Sequence, residues 1–150
     1  MVSALLSRMG LANVRMRKLN RSRVFVVNDE LRLAKFISRL LESAGYPVDI
    51  ATDSREALKV LVENPAGYAV LITDNRMPHL PGDQLTQKVR KAGFCGKIIM
   101  FSASVSVEEE PEFKAMGMDE ILRKPFEFRM LVPTVEKLCG NARLDEGEVR

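Results

Sequence analysis

The stretch AVLITDNRMPHLPG, residues 69–82, constrains the fold more than any other part of the 150-residue chain. Its first five residues are apolar or β-branched, which is typical of a strand buried on both faces. The pattern stops at Asp74, and the loop that follows contains proline and glycine and cannot continue a strand. A carboxylate is therefore expected where open parallel sheets bind ligands, although one such aspartate alone is more often a turn cap.

Strand and helix patterns alternate along residues 23–139. Helical apolar spacing separates the predicted strands and follows the last one, and the segment 107–116, which contains Pro111, is predicted to be a short or irregular helix. The predicted strands are 23–27, 46–51, 69–73, 97–101 and 118–123. Short loops between such elements imply right-handed crossovers and a parallel sheet covered on both faces. We predict a flavodoxin-like, doubly wound α/β fold, (βα)5, with strand order 2-1-3-4-5.

Charge and composition divide the chain into three parts. Residues 1–22 form a basic extension, and the chain up to and including Arg23 has six basic and no acidic residues. The remainder, residues 24–150, has 17 basic and 20 acidic residues, so the globular part of the chain is mildly acidic. We predict that this globular domain covers residues 23–139. Residues 140–150 are a polar tail that we predict to be disordered. The extension lacks interleaved aromatic residues, which favours a solvated arm over a nucleic-acid-binding segment.

Several classes of protein are excluded by the composition. No apolar run approaches the roughly 18 residues of a membrane span, so no membrane partner is expected. The first six residues lack the basic region and cleavage site of a secretory signal. Cys95 and Cys139 have neither CxxC spacing nor histidine partners, which excludes a zinc site and fits reduced thiols. We therefore predict a cytoplasmic protein.

Polar residues follow four of the predicted strands and would meet at one edge of the sheet. They are Asn28 and Asp29 after strand one, Asp74 after strand three, Ser102 after strand four and Lys124 after strand five. The switch point of the predicted order lies between strands one and three, so Asp29 and Asp74 would converge there. Two such carboxylates suit a hard cation such as Mg²⁺. A reactive carboxylate, a hydroxyl and an ammonium beside a cation are the groups that phosphoryl transfer onto a carboxylate requires.

Four motifs, VVNDE, LITDNRMPHLPG, MFSAS and ILRKPF, resemble in order and separation those of the receiver domain of two-component response regulators. The resemblance covers residues 23–139. It implies that Asp74 is the phosphoacceptor, that Ser102 is the hydroxyl that follows the phosphoryl group, and that Lys124 pairs with that group.

The resemblance also implies a cofactor and partners. Asp29, Asp74 and the backbone carbonyl of Arg76 would bind Mg²⁺, and the Lys124–Pro125 bond would be cis. A sensor histidine kinase or a histidine phosphotransfer protein would supply the phosphoryl group, and a conformational change would pass the signal to a downstream protein. The chain would not be an enzyme beyond self-phosphorylation and slow self-dephosphorylation. No DNA-binding domain fits in the remaining residues, so we expect output through a protein; the oligomeric state stays open.

Two positions depart from the family pattern. Asn28 stands where a second acid is usual; its amide oxygen can coordinate a metal but brings no charge, so weak metal binding is expected. The second departure is Ile121, which stands where an aromatic side chain commonly swings inward. These two departures keep open a second hypothesis, a receiver-like protein-interaction domain that is not phosphorylated. In addition, Arg76 can compete with the metal or pair with Asp74.

Enzymes on a similar sheet are the third alternative. A flavodoxin would need a phosphate loop rich in Ser and Thr after strand one, and a phosphatase of the haloacid dehalogenase type would need a DxD motif there. The chain has Asn28-Asp29-Glu30 instead. His79, the single histidine, is expected to be a surface loop residue because a phosphohistidine relay needs a helix bundle.

Overall fold

The computed structural model describes residues 23–124 and 128–148. Strands and helices alternate throughout this part of the chain, as the apolar patterns predicted. The strands are β1 (Val24–Val27), β2 (Val48–Ala51), β3 (Val70–Asp74), β4 (Lys97–Ser102) and β5 (Glu120–Arg123). The helices are α1 (Leu31–Ser43), α2 (Ser54–Glu63), α3 (Gly82–Lys91), α4 (Glu110–Ala115) and α5 (Leu131–Glu148). Short 3₁₀ turns, Val107–Glu109 and Phe128–Met130, precede the last two helices.

All five strands are parallel and lie in the order β2-β1-β3-β4-β5, which confirms the predicted topology. The strand β1 pairs with β2 on one side and with β3 on the other, so the direction of winding reverses between β1 and β3. This reversal opens a crevice beyond the carboxyl ends of those two strands. The short β5 is an edge strand that pairs with β4.

Side-chain alternation in the central strands builds two apolar cores. Val24, Val26 and Ile72 face α1 and α5, whereas Phe25 and Leu71 face α2 and α3. Every residue from Val70 to Thr73 is buried, as expected for a strand covered on both faces. These two layers hold the carboxyl ends of β1, β3 and β4 on a rigid frame. Among the described residues, no helix is long and apolar enough to cross a membrane.

The helix ends follow from local chemistry. The Asp53 carboxylate caps α2 by accepting a hydrogen bond from the Arg55 backbone amide at 2.8 Å. Gly45 and Gly93, which follow α1 and α3, have φ values of 95° and 102°. Such left-handed backbone is favourable for glycine and terminates both helices.

The predicted irregular segment between β4 and β5 is a 3₁₀ turn joined to the two-turn helix α4. A capping box between Ser106 and Glu109 begins it, and Pro111 is tolerated because it lies in the first turn of α4. The Glu110 carboxylate at the start of α4 forms an ion pair with the Arg123 guanidinium in β5. This contact ties the shortest α-helix to the edge strand.

The prediction of a patternless, disordered tail after residue 139 is wrong over most of its length. The backbone of α5 continues through Gly140 to Glu148. The added segment contains Ala142, Arg143 and Leu144, which favour helix, and no proline to stop it. The proposed basic extension, residues 1–22, and the predicted cis bond at Pro125 lie outside the described residues.

Candidate phosphoacceptor site

The register of the sheet brings the predicted site residues to one edge. Val27 pairs with Thr73, so Asn28 follows β1 at the level at which Asp74 ends β3. On the other side, Asp74 pairs with Phe101, and Ser102 therefore ends β4 one residue further along. Parallel strands in this register present their last side chains to the same crevice.

Asp74 and Lys124 form the central contact of the site. The Lys124 ammonium donates a hydrogen bond to Asp74 Oδ2 at 2.9 Å. The side chain of Asp74 is only 13% exposed and that of Lys124 only 18%, so water screens this ion pair less than it screens a surface pair. Because β4 lies between β3 and β5, the pair must bridge about 10 Å between strand axes, a distance that suits the long stem of lysine.

Asn28 is buried, and its side chain already has a local role. The Glu30 backbone amide donates to Asn28 Oδ1 at 2.9 Å, which shapes the turn between β1 and α1. Asp29 lies in that turn with its side chain exposed. The amide oxygen that the sequence suggested as a weak metal ligand is therefore partly engaged, whereas the Asp29 carboxylate is accessible.

Ser102 ends β4 with its side chain buried, and its hydroxyl contacts Ser104. The Ser104 backbone amide donates to Ser102 Oγ at 3.2 Å, and the two hydroxyl oxygens lie 3.3 Å apart. In the part of the chain that the structure describes, the Ser102 hydroxyl thus contacts Ser104, whereas the Asp74 carboxylate contacts Lys124. The Ser104 amide contact is a known local pattern, in which a serine side chain bonds to the backbone amide two residues later, but the sequence did not single out Ser104.

The loop from Asp74 to α3 folds tightly back on the strand end. The Gly82 amide donates to the Asn75 carbonyl, and the Asp83 amide donates to Asn75 Oδ1. A Cβ atom at Gly82 would lie 2.1 Å from the Asp74 backbone oxygen, so only glycine allows this approach. The sequence predicts only a loop at Pro81-Gly82, and the close approach of Gly82 to Asp74 emerges from the structure.

Arg76 and His79 are exposed in the same loop. The expectation of a surface position for His79 is confirmed, and its φ of 68° is a left-handed conformation that is uncommon for a residue with a side chain. Ile121, by contrast, is buried in the core that contains Val105 and Phe113. An aliphatic residue there packs into the domain and presents no ring at the surface of β5.

The donor atoms of the site suit a hard cation. Among the described residues, no cluster of three or more His, Cys, Asp or Glu side chains could hold a metal ion. Mg²⁺, however, retains several waters and needs only one or two protein carboxylates. Asp29 is accessible, and Asp74 uses only its Oδ2 atom in its hydrogen bond with Lys124. These residues therefore fit a magnesium ion with few protein ligands.

Comparison with known families agrees with this arrangement. Residues 24–136 match the family model described as the response regulator receiver domain. The chain belongs to this family. The receiver domain is a module of two-component signal transduction, and the family consists of signalling modules and not of classical enzymes.

Curated relatives of this receiver domain include two regulators. The transcriptional regulatory protein CutR of Streptomyces coelicolor is 33% identical over 116 residues, which cover 77% of this chain and 52% of CutR. The response regulator MprA of Mycobacterium sp. strain KMS is 32% identical over 125 residues, which cover 83% of this chain and 54% of MprA. The chain thus spans about half the length of the curated relatives it matches.

Solved receiver structures have the same fold. The receiver domain of the Francisella response regulator 1452 is 32% identical, with a TM-score of 0.75 over 81% of this chain and 98% of that one. The chemotaxis protein CheY4 of Vibrio cholerae is 31% identical, with a TM-score of 0.70 over 78% of this chain and 98% of CheY4.

Proposed function

We propose that this receiver domain accepts a phosphoryl group on Asp74 from a phosphohistidine of a sensor histidine kinase or a histidine phosphotransfer protein. The observation that carries the proposal is the Lys124 ammonium held 2.9 Å from the Asp74 carboxylate in a crevice at the sheet edge. Ser102 ends the neighbouring strand and supplies a hydroxyl. We assign the domain to residues 23–139.

The proposed chemistry is an in-line displacement at phosphorus. An oxygen of the Asp74 carboxylate attacks, a new P–O bond forms, and the P–N bond to the histidine breaks. The electron pair of that bond stays on the imidazole nitrogen of the donor, and the product is an acyl phosphate. Lys124 would exchange its contact with Asp74 for a phosphoryl oxygen, since the product carries more negative charge than the carboxylate alone.

Mg²⁺ is the cofactor that this donor set favours. Asp29, Asp74 and the backbone carbonyl of Arg76 would hold it, with Asn28 as a weak additional ligand. When bound, the ion would neutralise negative charge on the transferring phosphoryl group. Asp74 would keep one oxygen ligand on the rigid end of β3, and Asp29 would supply another from the turn after the neighbouring strand β1.

The proposal predicts phosphorylation by a small donor in the presence of Mg²⁺. We expect acetyl phosphate to add one phosphoryl group to the intact chain, as seen by mass spectrometry, and to add none to Asp74→Asn. Asp83→Asn is the matched control, because it changes an acid nine residues away at the start of α3. Equal incorporation in wild type and Asp74→Asn would refute the assignment.

The output is proposed to pass to a downstream protein. Phosphorylation would draw the Ser102 hydroxyl toward the phosphoryl oxygens and displace the segment between β4 and α4. One relative, CutR, is named as a transcriptional regulatory protein and is about twice as long as the matched region. By analogy, the partner or attached module of this domain would take part in gene regulation.

The alternative is a receiver domain that binds a partner without phosphorylation. Two observations favour it: Asn28 Oδ1 is engaged by the Glu30 amide, and Ile121 is packed in the core. A wild-type chain that takes no phosphoryl group from acetyl phosphate at saturating Mg²⁺ would support this alternative.

A further inference from the structure

The loop after β4 places the hydroxyl of Ser104 beside Ser102, the serine that is proposed to move toward the phosphoryl group. Ser102 is 1% exposed and Val105 is also buried, whereas Ala103 and Ser104 between them are exposed. The exposed Ser104 side chain therefore lies beside the buried Ser102 hydroxyl, with 3.3 Å between the two oxygens.

The backbone of Ser102 is fixed independently of this contact. Its carbonyl accepts a hydrogen bond from the Lys124 amide at 3.0 Å, and Ser102 pairs with Arg123 in the sheet. The hydroxyl oxygen can therefore move to a new partner only by rotation about the Cα–Cβ bond or by movement of the loop that begins at Ala103. Either change would break its two contacts with Ser104.

The hydrogen-bonding capacity of a hydroxyl makes these contacts compete with a phosphoryl group. A serine hydroxyl has one proton and two acceptor positions. The Ser104 amide can only donate, so it occupies one acceptor position of Ser102 Oγ. Phosphoryl oxygens can only accept, so they require the single Ser102 proton, which the Ser104 hydroxyl is placed to receive.

We propose that Ser104 is a positioning residue that holds the Ser102 hydroxyl in its resting orientation and thereby opposes its movement to the phosphoryl group. This inference rests on the proposed function of Asp74, and it adds a residue that acts through Ser102 and does not touch the reacting atoms. Ser104 sets the equilibrium between the resting and the phosphoryl-bound orientations of Ser102.

The first test measures the side-chain rotamer of Ser102 in the protein without ligand. Three-bond couplings across its Cα–Cβ bond, measured by NMR, should report one side-chain rotamer in wild type and in Ser104→Thr, which retains the hydroxyl. In Ser104→Ala the same couplings should average toward several rotamers. Unchanged couplings in Ser104→Ala would overturn the proposal, whatever the phosphorylation behaviour of the chain.

The second test uses beryllofluoride, a phosphoryl mimic, with Mg²⁺. Loss of one net hydrogen bond in the resting state should tighten beryllofluoride binding by Ser104→Ala about two- to tenfold. Ser104→Thr should bind as wild type does, and the gain should disappear in a Ser102→Ala background. Weaker or unchanged binding by Ser104→Ala, or an equal gain without Ser102, would contradict the proposal.

The two tests separate this inference from the proposed function. If wild type binds no beryllofluoride, the assignment of Asp74 fails. The three-bond couplings of Ser102 then decide alone whether Ser104 fixes the Ser102 rotamer. If wild type binds it and Ser104→Ala behaves identically in both tests, Asp74 stands and Ser104 has no positioning role.

Discussion

Asn28 is the residue that most distinguishes this site from the family pattern. Asn28→Asp adds a full charge beside Asp29 and Asp74 while keeping an oxygen for the Glu30 amide. We therefore expect Mg²⁺ to bind about tenfold more tightly to this variant. Asn64→Asp, which adds the same charge in the loop before β3, should leave the affinity unchanged. NMR titration with Mg²⁺ would measure both; equal affinity in wild type and Asn28→Asp would show that another group governs the site.

Gly82 determines where Asp74 lies, because its missing side chain makes room for the Asp74 carbonyl. Gly82→Ala would place a Cβ atom 2.1 Å from that oxygen, and the strand end would have to move. We expect a loss of about 3 kcal/mol in the free energy of unfolding. Gly140→Ala is the control, since the added Cβ meets nothing within 4 Å apart from its chain neighbours and its own helix backbone, and alanine favours helix. Urea unfolding would compare the free energies of unfolding of the two variants. If Gly82→Ala loses no more stability than Gly140→Ala, the predicted clash with the Asp74 carbonyl is contradicted.

At the scale of the element, the N-terminus of α2 is expected to respond to acid. Hydrogen bonds from the Arg55 side chain and backbone lower the pKa of Asp53 to about 2. A lowered pKa favours the folded state above pH about 4, and this contribution is lost as the pH falls toward 2. Wild type should therefore be more stable than Asp53→Asn at pH 7, and the difference should shrink between pH 4 and pH 2. A constant difference in urea midpoint over that range would contradict the pKa of Asp53.

The ion pair between Glu110 and Arg123 attaches the short helix α4 to β5 in addition to the packing of Phe113 and Ile121 in the same core. Glu110→Gln removes the charge and should speed amide exchange in residues 107–116 about fivefold, whereas exchange in α1 should not change. Glu112→Gln, at an exposed position of the same helix, is the matched control. If both variants exchange at the same rate in this segment, the ion pair does not restrain α4.

At the scale of the whole molecule, the sheet order and the edge that carries the site follow from the sequence because they depend on repeated patterns. Each strand is an apolar run, and Asp74, Ser102 and Lys124 each stand at or just after the end of one. Parallel topology then determines that they lie at one edge. The contact of Lys124 with Asp74 could be anticipated because a lysine stem can reach across one intervening strand.

Other features depend on distances that no periodic pattern encodes. The hydrogen bonds of Ser104 to Ser102 require a particular turn after β4, and the Glu110–Arg123 pair requires the separation between α4 and β5. The continuation of α5 past Gly140 differs from the sequence prediction because the polar composition of the segment suggested disorder, although Ala142, Arg143 and Leu144 favour helix.

The central claim is that Asp74 alone becomes phosphorylated, and the most direct test is to locate the phosphoryl group. After treatment with acetyl phosphate and Mg²⁺, reduction with borohydride would mark an aspartyl phosphate, and peptide mass spectrometry would identify the residue. We predict the mark at Asp74, at the end of β3 beside Lys124. A mark at another acid, or none in a protein shown to bind Mg²⁺, would contradict this account.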